Sequence, residues 1–285
     1  MVEPTEQDSE QTAPQKLTEE REFEKILQFI KSSFKLDLTS YRRNFVFRHL
    51  RSRMHDVRCP TASRYISLLQ EKPEELRDFV DTLSINVTHF FRDADVFGTF
   101  AKTIVPEIMK AKGDGEQKLI RVWSAACASG QEPYSIAILL KELFADKPQI
   151  LIKIVATDVD SDALARAEKG EYDIRDFRET DKKLLDKYFT PVYNKCYRIN
   201  DDVRRLVRFQ KHNLLTDEPL KFIDVIFCRN VMIYFSREQQ DLLFRKFHQG
   251  LGFNGYLIIA KVETVWDKAL FSVVDSNHKI YQKIA

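Results

Sequence analysis

The chain has 285 residues, 44% of them apolar and 31% charged. That is enough apolar side chain for a buried core, and it excludes a disordered or fibrous class for most of the length. With 45 basic residues against 43 acidic ones the net charge is +2, too small for a whole-molecule field that would hold nucleic acid or an anionic membrane.

A prior of ~150 residues per domain favours two domains. Residues 1–20 carry six acids (Glu3, Glu6, Asp8, Glu10, Glu19, Glu20) against Lys16, with Pro4 and Pro14, and predict a disordered acidic tail over 1–17. From Thr18, read as a helix cap, Phe23, Ile26, Leu27, Ile30 and Phe34 recur at spacings of three and four and predict one helix with an apolar stripe. Further helical patterns follow at about 41–57, 61–70 and 73–83, the last opened by Pro73, Glu74 and Glu75. An all-helical N-terminal domain is therefore expected over 18–92. Val96, Phe97, Phe100, Ile104, Val105 and Ile108 make one face of a helix leading into a second domain over 93–285.

In that second domain short apolar runs at 119–123, 150–156, 222–228 and 256–260 suit strands buried on both faces of a parallel sheet, and helical patterns separate the first three. The expected fold is α/β and doubly wound. Residues 196–199 and 206–210 read as a hairpin turning through Asn200, Asp201 and Asp202, so a small antiparallel β-subdomain insertion is expected at about 188–211. Residues 278–284 alternate like a final strand.

No apolar run approaches the ~18 residues that span a bilayer, and Met1–Lys16 lacks the order of a signal peptide. A cytoplasmic protein without membrane insertion is expected. Cys59, Cys127, Cys196 and Cys228 show no CxxC spacing, which indicates reduced thiols and no metal site.

Ligands of doubly wound sheets sit beyond the carboxyl ends of the strands. After the first run comes Ser124-Ala-Ala-Cys-Ala-Ser129-Gly130-Gln-Glu132-Pro133-Tyr134. Its small residues admit a ligand to the backbone, and Pro133 suits the first turn of a helix. The second run ends at Asp158, where an acid can accept both hydroxyls of a ribose or serve as a helix cap. No GxGxxG is present, so a nucleoside without a diphosphate fits better than a dinucleotide. S-adenosylmethionine is such a ligand, with Asp158 for its ribose and charged partners such as Glu132 and an arginine for its amino-acid end.

Three further strings are specific: Ser84-Ile-Asn86-Val-Thr88-His-Phe90-Phe91-Arg92-Asp93, Asn213-Leu214-Leu215, and Phe227-Cys228-Arg229-Asn230-Val-Met-Ile-Tyr234-Phe235. With Trp123–Ile136 and Ala156-Thr157-Asp158 they resemble the CheR-type chemotaxis receptor methyltransferases, in order from about residue 20 to 285. The resemblance implies a helical N-terminal domain followed by a Rossmann-like class I methyltransferase domain with a β-subdomain. It also implies S-adenosylmethionine as cofactor, S-adenosylhomocysteine as product, and chemoreceptor glutamates as acceptors that become γ-glutamyl methyl esters. The cofactor residues it carries over are Asn86, Thr88, Arg92, Glu132, Asp158, Asn213, Leu214, Arg229 and Asn230. Arg92 and Tyr234 fall where the family places groups near the reacting methyl, and are the expected catalytic residues.

The sequence departs from the family pattern at Ala126-Cys127-Ala128-Ser129-Gly130-Gln131-Glu132, where Gly-Cys-Ser-Thr-Gly-Glu-Glu is usual. It departs again at Ala260-Lys261-Val262-Glu263, where Gly-x-Ser-Glu is usual. Members that dock on a receptor pentapeptide have a glycine-bearing loop in the β-subdomain, whereas 189–196 has no glycine, so action without that tether is expected. Arg42, Arg43, Arg48, Arg51, Arg53 and Arg58 face only Asp56 within 41–58 and are expected to meet the acidic receptor bundle, the protein acting as a monomer with no nucleic-acid partner. Two other readings stand beside this one: a catalytically silent cofactor sensor, and methylation of a nucleic-acid amine. The first is disfavoured by the intact Arg92, Arg229, Asn230 and Tyr234, the second by Cys228–Val231 standing where an Asn- or Asp-Pro-Pro-aromatic string is usual.

Overall fold

The computed structural model describes residues 13–284 apart from 35, 37, 40, 84–87 and 114–116. Contacts divide the chain into two compact units: a helical one up to Ile85 that also takes in Tyr234–Ser236, and a larger one formed by Asn86–Ile233 and Arg237–Ala285. The division falls ahead of the boundary expected at 92/93. Phe90 belongs with the larger unit because its ring stacks on Phe177 at 4.9 Å and meets Phe189 edge-on at 5.0 Å.

The helical unit comprises α1 (Ala13–Phe34), α2 (Arg43–Asp56), α3 (Ala62–Glu71) and α4 (Glu74–Leu83). Helix α1 begins at Ala13 rather than at Thr18, because Pro14 is tolerated in a first helical turn and the residues after it continue the helix. The expected tail therefore shortens to residues 1–12, which lie outside the described residues. The apolar stripe packs as its period requires: Phe23, Ile26 and Ile30 of α1 share a core with Phe45, Val46, Leu50 and Met54 of α2, Tyr65 and Leu69 of α3, and Phe79 and Leu83 of α4. Among the described residues one acid, Glu75, enters this core. Glu75 accepts from the Tyr65 hydroxyl at 2.9 Å and from Arg53 Nε and Nη2 at 2.8 and 2.6 Å, which satisfies a charge that burial would otherwise penalise.

The larger unit opens with α5 (Ala94–Thr99), a π-helical turn (Phe100–Ile104) and α6 (Val105–Ala111). Then come β1 (Lys118–Ala125), α7 (Gln131–Leu143), β2 (Ile150–Asp158), α8 (Ser161–Lys169), β3 (Glu171–Asp173), α9 (Lys182–Tyr188), β4 (Phe189–Tyr193), β5 (Cys196–Ile199), α10 (Asp201–Arg204), β6 (Val207–Lys211), β7 (Ile223–Cys228), α11 (Arg237–Gly250), β8 (Leu251–Ile259), β9 (Phe271–Asp275) and β10 (Ile280–Lys283). The main sheet runs β6-β2-β1-β7-β8-β10-β9. Its first five strands are parallel, and β10 and β9 close it antiparallel. The strand order reverses at β1, so the ligand-binding crevice of such a sheet lies at the carboxyl ends of β1 and its neighbours β2 and β7. Ile120, Val122, Ile154, Val225 and Phe227 fill the core there.

The expected hairpin between 196–199 and 206–210 does not form. Val207–Lys211 instead pairs parallel with Ile154–Asp158 as the edge of the main sheet. The Asn200-Asp201-Asp202 cluster opens α10 rather than a turn: the Asn200 carbonyl accepts from the Val203 and Arg204 amides, both at 3.1 Å, and the two acids suit a helix N-terminus. The small sheet is three-stranded, β3-β5-β4; its hairpin turns at Asn194 and Lys195 (φ 26 and 64°).

Candidate active site

The turn after β1 is held in a conformation its sequence does not favour. Backbone φ is +61° at Ala126, +46° at Ala128 and +92° at Gly130, and the left-handed region costs a residue with a Cβ roughly 1–2 kcal/mol. Gly130 has no alternative. A Cβ there would stand 2.8 Å from Ala167 Cβ and 3.0 Å from the Tyr172 hydroxyl oxygen. Three contacts fix the turn: Cys127 N donates to the Thr157 carbonyl at 2.9 Å, Ala128 N donates to Asp158 Oδ2 at 2.8 Å, and Tyr172 of the small sheet donates to the Ser129 carbonyl at 2.9 Å. Strain held this way marks functional sites.

Asp158, at the carboxyl end of β2, is 9% exposed. Its other oxygen accepts from Asp160 N at 2.9 Å. It is not the cap of α8; that is Asp160, which accepts from the Asp162 and Ala163 amides. Burial pushes the Asp158 carboxyl above its ordinary range, with the Asp160 and Ala128 amides pulling the other way.

Glu132 stands in the first turn of α7 with a side chain 15% exposed. Ser124 donates to its Oε1 at 2.8 Å, and Arg229 Nη1 lies 3.6 Å from its Oε2. Burial raises this carboxyl too, opposed by the Arg229 charge, the Ser124 bond and the Arg92 charge. The site therefore holds two desolvated acids, one in the first turn of the helix after β1 and one at the end of the adjacent β2.

Arg229, just beyond β7, joins these parts. Its Nη2 donates to the Arg92 carbonyl at 3.0 Å and to Asp93 Oδ2, and its guanidinium lies over the Phe97 ring at 5.7 Å. Its Nε is buried and without a hydrogen-bond partner. Arg92 sits between two left-handed residues, Phe91 (φ 53°) and Asp93 (φ 58°). Phe91 N donates to Ser135 Oγ at 2.9 Å and Asp93 N to Glu179 Oε2 at 3.0 Å. Glu179 is held in turn by His89 Nε2 at 2.7 Å, and Arg178 donates to His89 Nδ1 at 2.7 Å. Of the acids next to Arg92, Asp93 pairs with Arg229, and Asp95 with Lys261 at 2.5 Å.

Asn213 and Leu214 follow β6, beside the end of β2. The Asn213 side chain accepts from Leu215 N at 3.0 Å, and Leu214 is 8% exposed. Lys246 of α11 gathers this loop by donating to the carbonyls of Leu214, Leu215 and Asp217 at 3.3, 2.6 and 2.8 Å. Asn230 has φ +61°. Thr88 is half-buried just ahead of His89. Asn86 lies outside the described residues. Tyr234 falls in the helical unit, where its ring lies 4.8 Å from Phe45 and its carbonyl accepts from Arg42 N at 2.7 Å.

Thus Arg92, Glu132 and Arg229 come together, while Asp158 adjoins them through the β1 turn and Asn213 and Leu214 through the end of β2. Sequence reading did not single out Ser124, Glu179, Lys246 or Asp93 as parts of the site. Each is an ordinary polar residue with no spacing signal, and only the fold gives it a partner.

Two buried carboxylates, a buried guanidinium with an unpartnered Nε and a close-packed turn make a donor and acceptor set for a ligand with a ribose diol, an ammonium, a carboxylate and a sulfonium. The fold and this site define an S-adenosylmethionine-dependent methyltransferase. Residues 86–280 match the model of the CheR methyltransferase SAM binding domain, and residues 21–84 that of the CheR methyltransferase all-alpha domain. A chemotaxis protein methyltransferase of Listeria innocua is 32% identical over 264 residues, 93% of this chain and 98% of its own. That of Borreliella burgdorferi is 30% identical over 265 residues, 90% and 93% of the two chains, and that of Salmonella typhimurium 33% over 233 residues, 79% and 77%. The chain belongs to the CheR methyltransferase family and is a methyltransferase of chemotaxis. Among the described residues no helix is long and apolar enough to cross a membrane, and no cluster of His, Cys, Asp or Glu is placed to hold a metal ion.

Proposed function

We propose that this methyltransferase esterifies glutamate side chains of chemoreceptors in the cytoplasm, as a monomer and without a receptor pentapeptide tether. When bound, S-adenosylmethionine supplies an electrophilic methyl group on a sulfonium sulfur. Of the chain's own residues, Asp158 would accept the ribose hydroxyls, Asn213 and Leu214 would line the adenine side, and Glu132 with Arg229, Asn230, Thr88 and Asn86 would hold the amino-acid end. A free glutamate has a pKa of ~4.3 and is already ionised at neutral pH, so the acceptor needs no general base. What it needs is alignment, which can supply roughly 7–11 kcal/mol. Arg92 can hold a carboxylate through two parallel hydrogen bonds, and Tyr234 can orient the acceptor oxygen.

The observation that carries this reading is the Arg92 turn. Its backbone is locked by Arg229, Ser135 and Glu179, and the Arg92 charge acts on the buried Glu132 carboxylate, which sets this arginine beside the acid of the β1 turn.

The arginine-rich helix supports the acidic receptor bundle as partner, though part of its charge is already met. Arg43 pairs with Glu24 at 2.9 Å, Arg51 with Glu19 at 2.7 Å and Arg53 with Glu75. The exposed Arg48 and Arg58 are the arginines offered for docking. The test is peptide mapping of receptors after incubation with the protein and cofactor. Methyl groups on glutamates, at a rate within twofold on receptors lacking their C-terminal five residues, are expected. Methyl groups on other side chains would overturn the acceptor, and a strong loss on truncation would overturn tether independence.

A further inference from the structure

The loop after β8 departs from the family pattern at Ala260-Lys261-Val262, yet it keeps Glu263, which the reaction described above does not use. Glu263 is only 5% exposed. Its Oε1 accepts from Met232 N at 2.9 Å and its Oε2 from Ala260 N at 2.8 Å; the Asn230 and Ile233 amides also favour its ionised form. Burial pushes the carboxyl up against these bonds. Successive backbone N–H groups around a left-handed residue form a concavity that binds anions. The turn after β7 is such a nest, with Asn230 at φ +61°, and the anion in it belongs to the chain itself. The same turn is gripped at its other pole, because buried Gln240 of α11 donates to the Met232 carbonyl at 2.8 Å.

We infer that Glu263 is a positioning residue for the cofactor site: its carboxylate fills the nest after β7, holds Asn230 left-handed and thereby aims Arg229 and Asn230. A left-handed residue with a Cβ persists only where its surroundings over-determine it. Glutamine has nearly the same volume, but its amide NH₂ would face backbone N–H groups that need an acceptor. The nest therefore requires two carboxylate oxygens rather than bulk. This rests on the assignment of Arg229 and Asn230 to the cofactor side.

Three measurements on the full chain test it. First, hydrogen exchange on the unaltered protein is expected to show the Met232 and Ala260 amides protected at least 100-fold over free loop amides. Exchange at free-loop rates would overturn the inference without any variant. Second, calorimetric titration with S-adenosylhomocysteine is expected to show affinity falling 10- to 100-fold in both Glu263→Gln and Glu263→Ala, with KM for the cofactor raised by a similar factor. Third, acetate or formate is expected to recover at least a fifth of the lost affinity in Glu263→Ala, where the cavity admits it, and none in Glu263→Gln. A Glu263→Gln variant within twofold of the parent, or a Glu263→Ala variant indifferent to carboxylates, would overturn it. Arg229→Ala separates the two levels: if it loses affinity while Glu263→Gln does not, only this inference fails. If Arg229→Ala binds normally, the cofactor assignment fails and takes the inference with it.

Discussion

The Arg229 guanidinium donates to the backbone carbonyl of Arg92 across 3.0 Å, so the arginine beyond β7 fixes the main chain of the other arginine through an atom that every side chain at that position would keep. Main-chain anchoring separates the fold from the chemistry. Arg92→Ala should keep the thermal unfolding of the parent while methyl transfer falls at least ~100-fold, and Arg92→Lys should recover little, since an ammonium lacks the two-pronged geometry. Steady-state rates with melting curves check both.

Asp158 supplies the pH dependence. Its folded carboxyl takes up a proton at higher pH than an ordinary aspartate because it is buried. A raised value means the folded chain binds the proton more readily than the unfolded chain, so this group's contribution to the stability of the ligand-free protein declines as pH rises through that window. If Asp158 accepts the ribose hydroxyls as proposed, ligand binding has the opposite sign, because that role needs the ionised form. Affinity for S-adenosylhomocysteine should weaken as pH falls, beginning above the usual aspartate range, and Asp158→Asn should bind weakly with a flattened profile. Calorimetry from neutral pH down to about 5 measures it.

The strained turn after β1 gives a paired stability test. Ala126 has φ +61°, so Ala126→Gly should stabilise the protein by about 0.5–1 kcal/mol. Gly130→Ala must place a Cβ 2.8 Å from Ala167 Cβ at a left-handed position, and should destabilise it by about 2 kcal/mol or more. Urea unfolding resolves both.

In the helical unit, Glu75→Ala would leave the Arg53 charge and the Tyr65 hydroxyl without their common acceptor. Removing one partner of a buried pair costs about 3–5 kcal/mol; because the Arg53 side chain is 20% exposed and also reaches Asp78 at 2.7 Å, about 2–3 kcal/mol is expected, read as a lower urea midpoint.

Those elements whose apolar period matched their burial were legible from the residues alone. The α1 stripe of Phe23, Ile26 and Ile30 and the strands β1, β2 and β7 are found as expected, although β2 is buried on both faces only in its second half and leaves Leu151 exposed. Positions immediately after those runs led to Glu132 and Asp158. Strand β6 was misplaced because an edge strand is only half-buried and carries Arg208 and Gln210, so its residues lack a distinctive pattern. The Asn200–Asp202 cluster compounded this, since the same residues suit turns and helix starts. Glu263, Glu179 and Lys246 were illegible for another reason: each acts through backbone amides or carbonyls, or through a histidine, brought near by the fold, and no local spacing encodes such partners.

The most direct test of the central claim is transfer from methyl-labelled S-adenosylmethionine to receptor-bearing membranes by the purified protein. Label that alkali releases as methanol is expected, because an ester of a glutamate carboxylate hydrolyses under those conditions. Label that survives alkali, or none above the level of Arg92→Ala, would contradict the account.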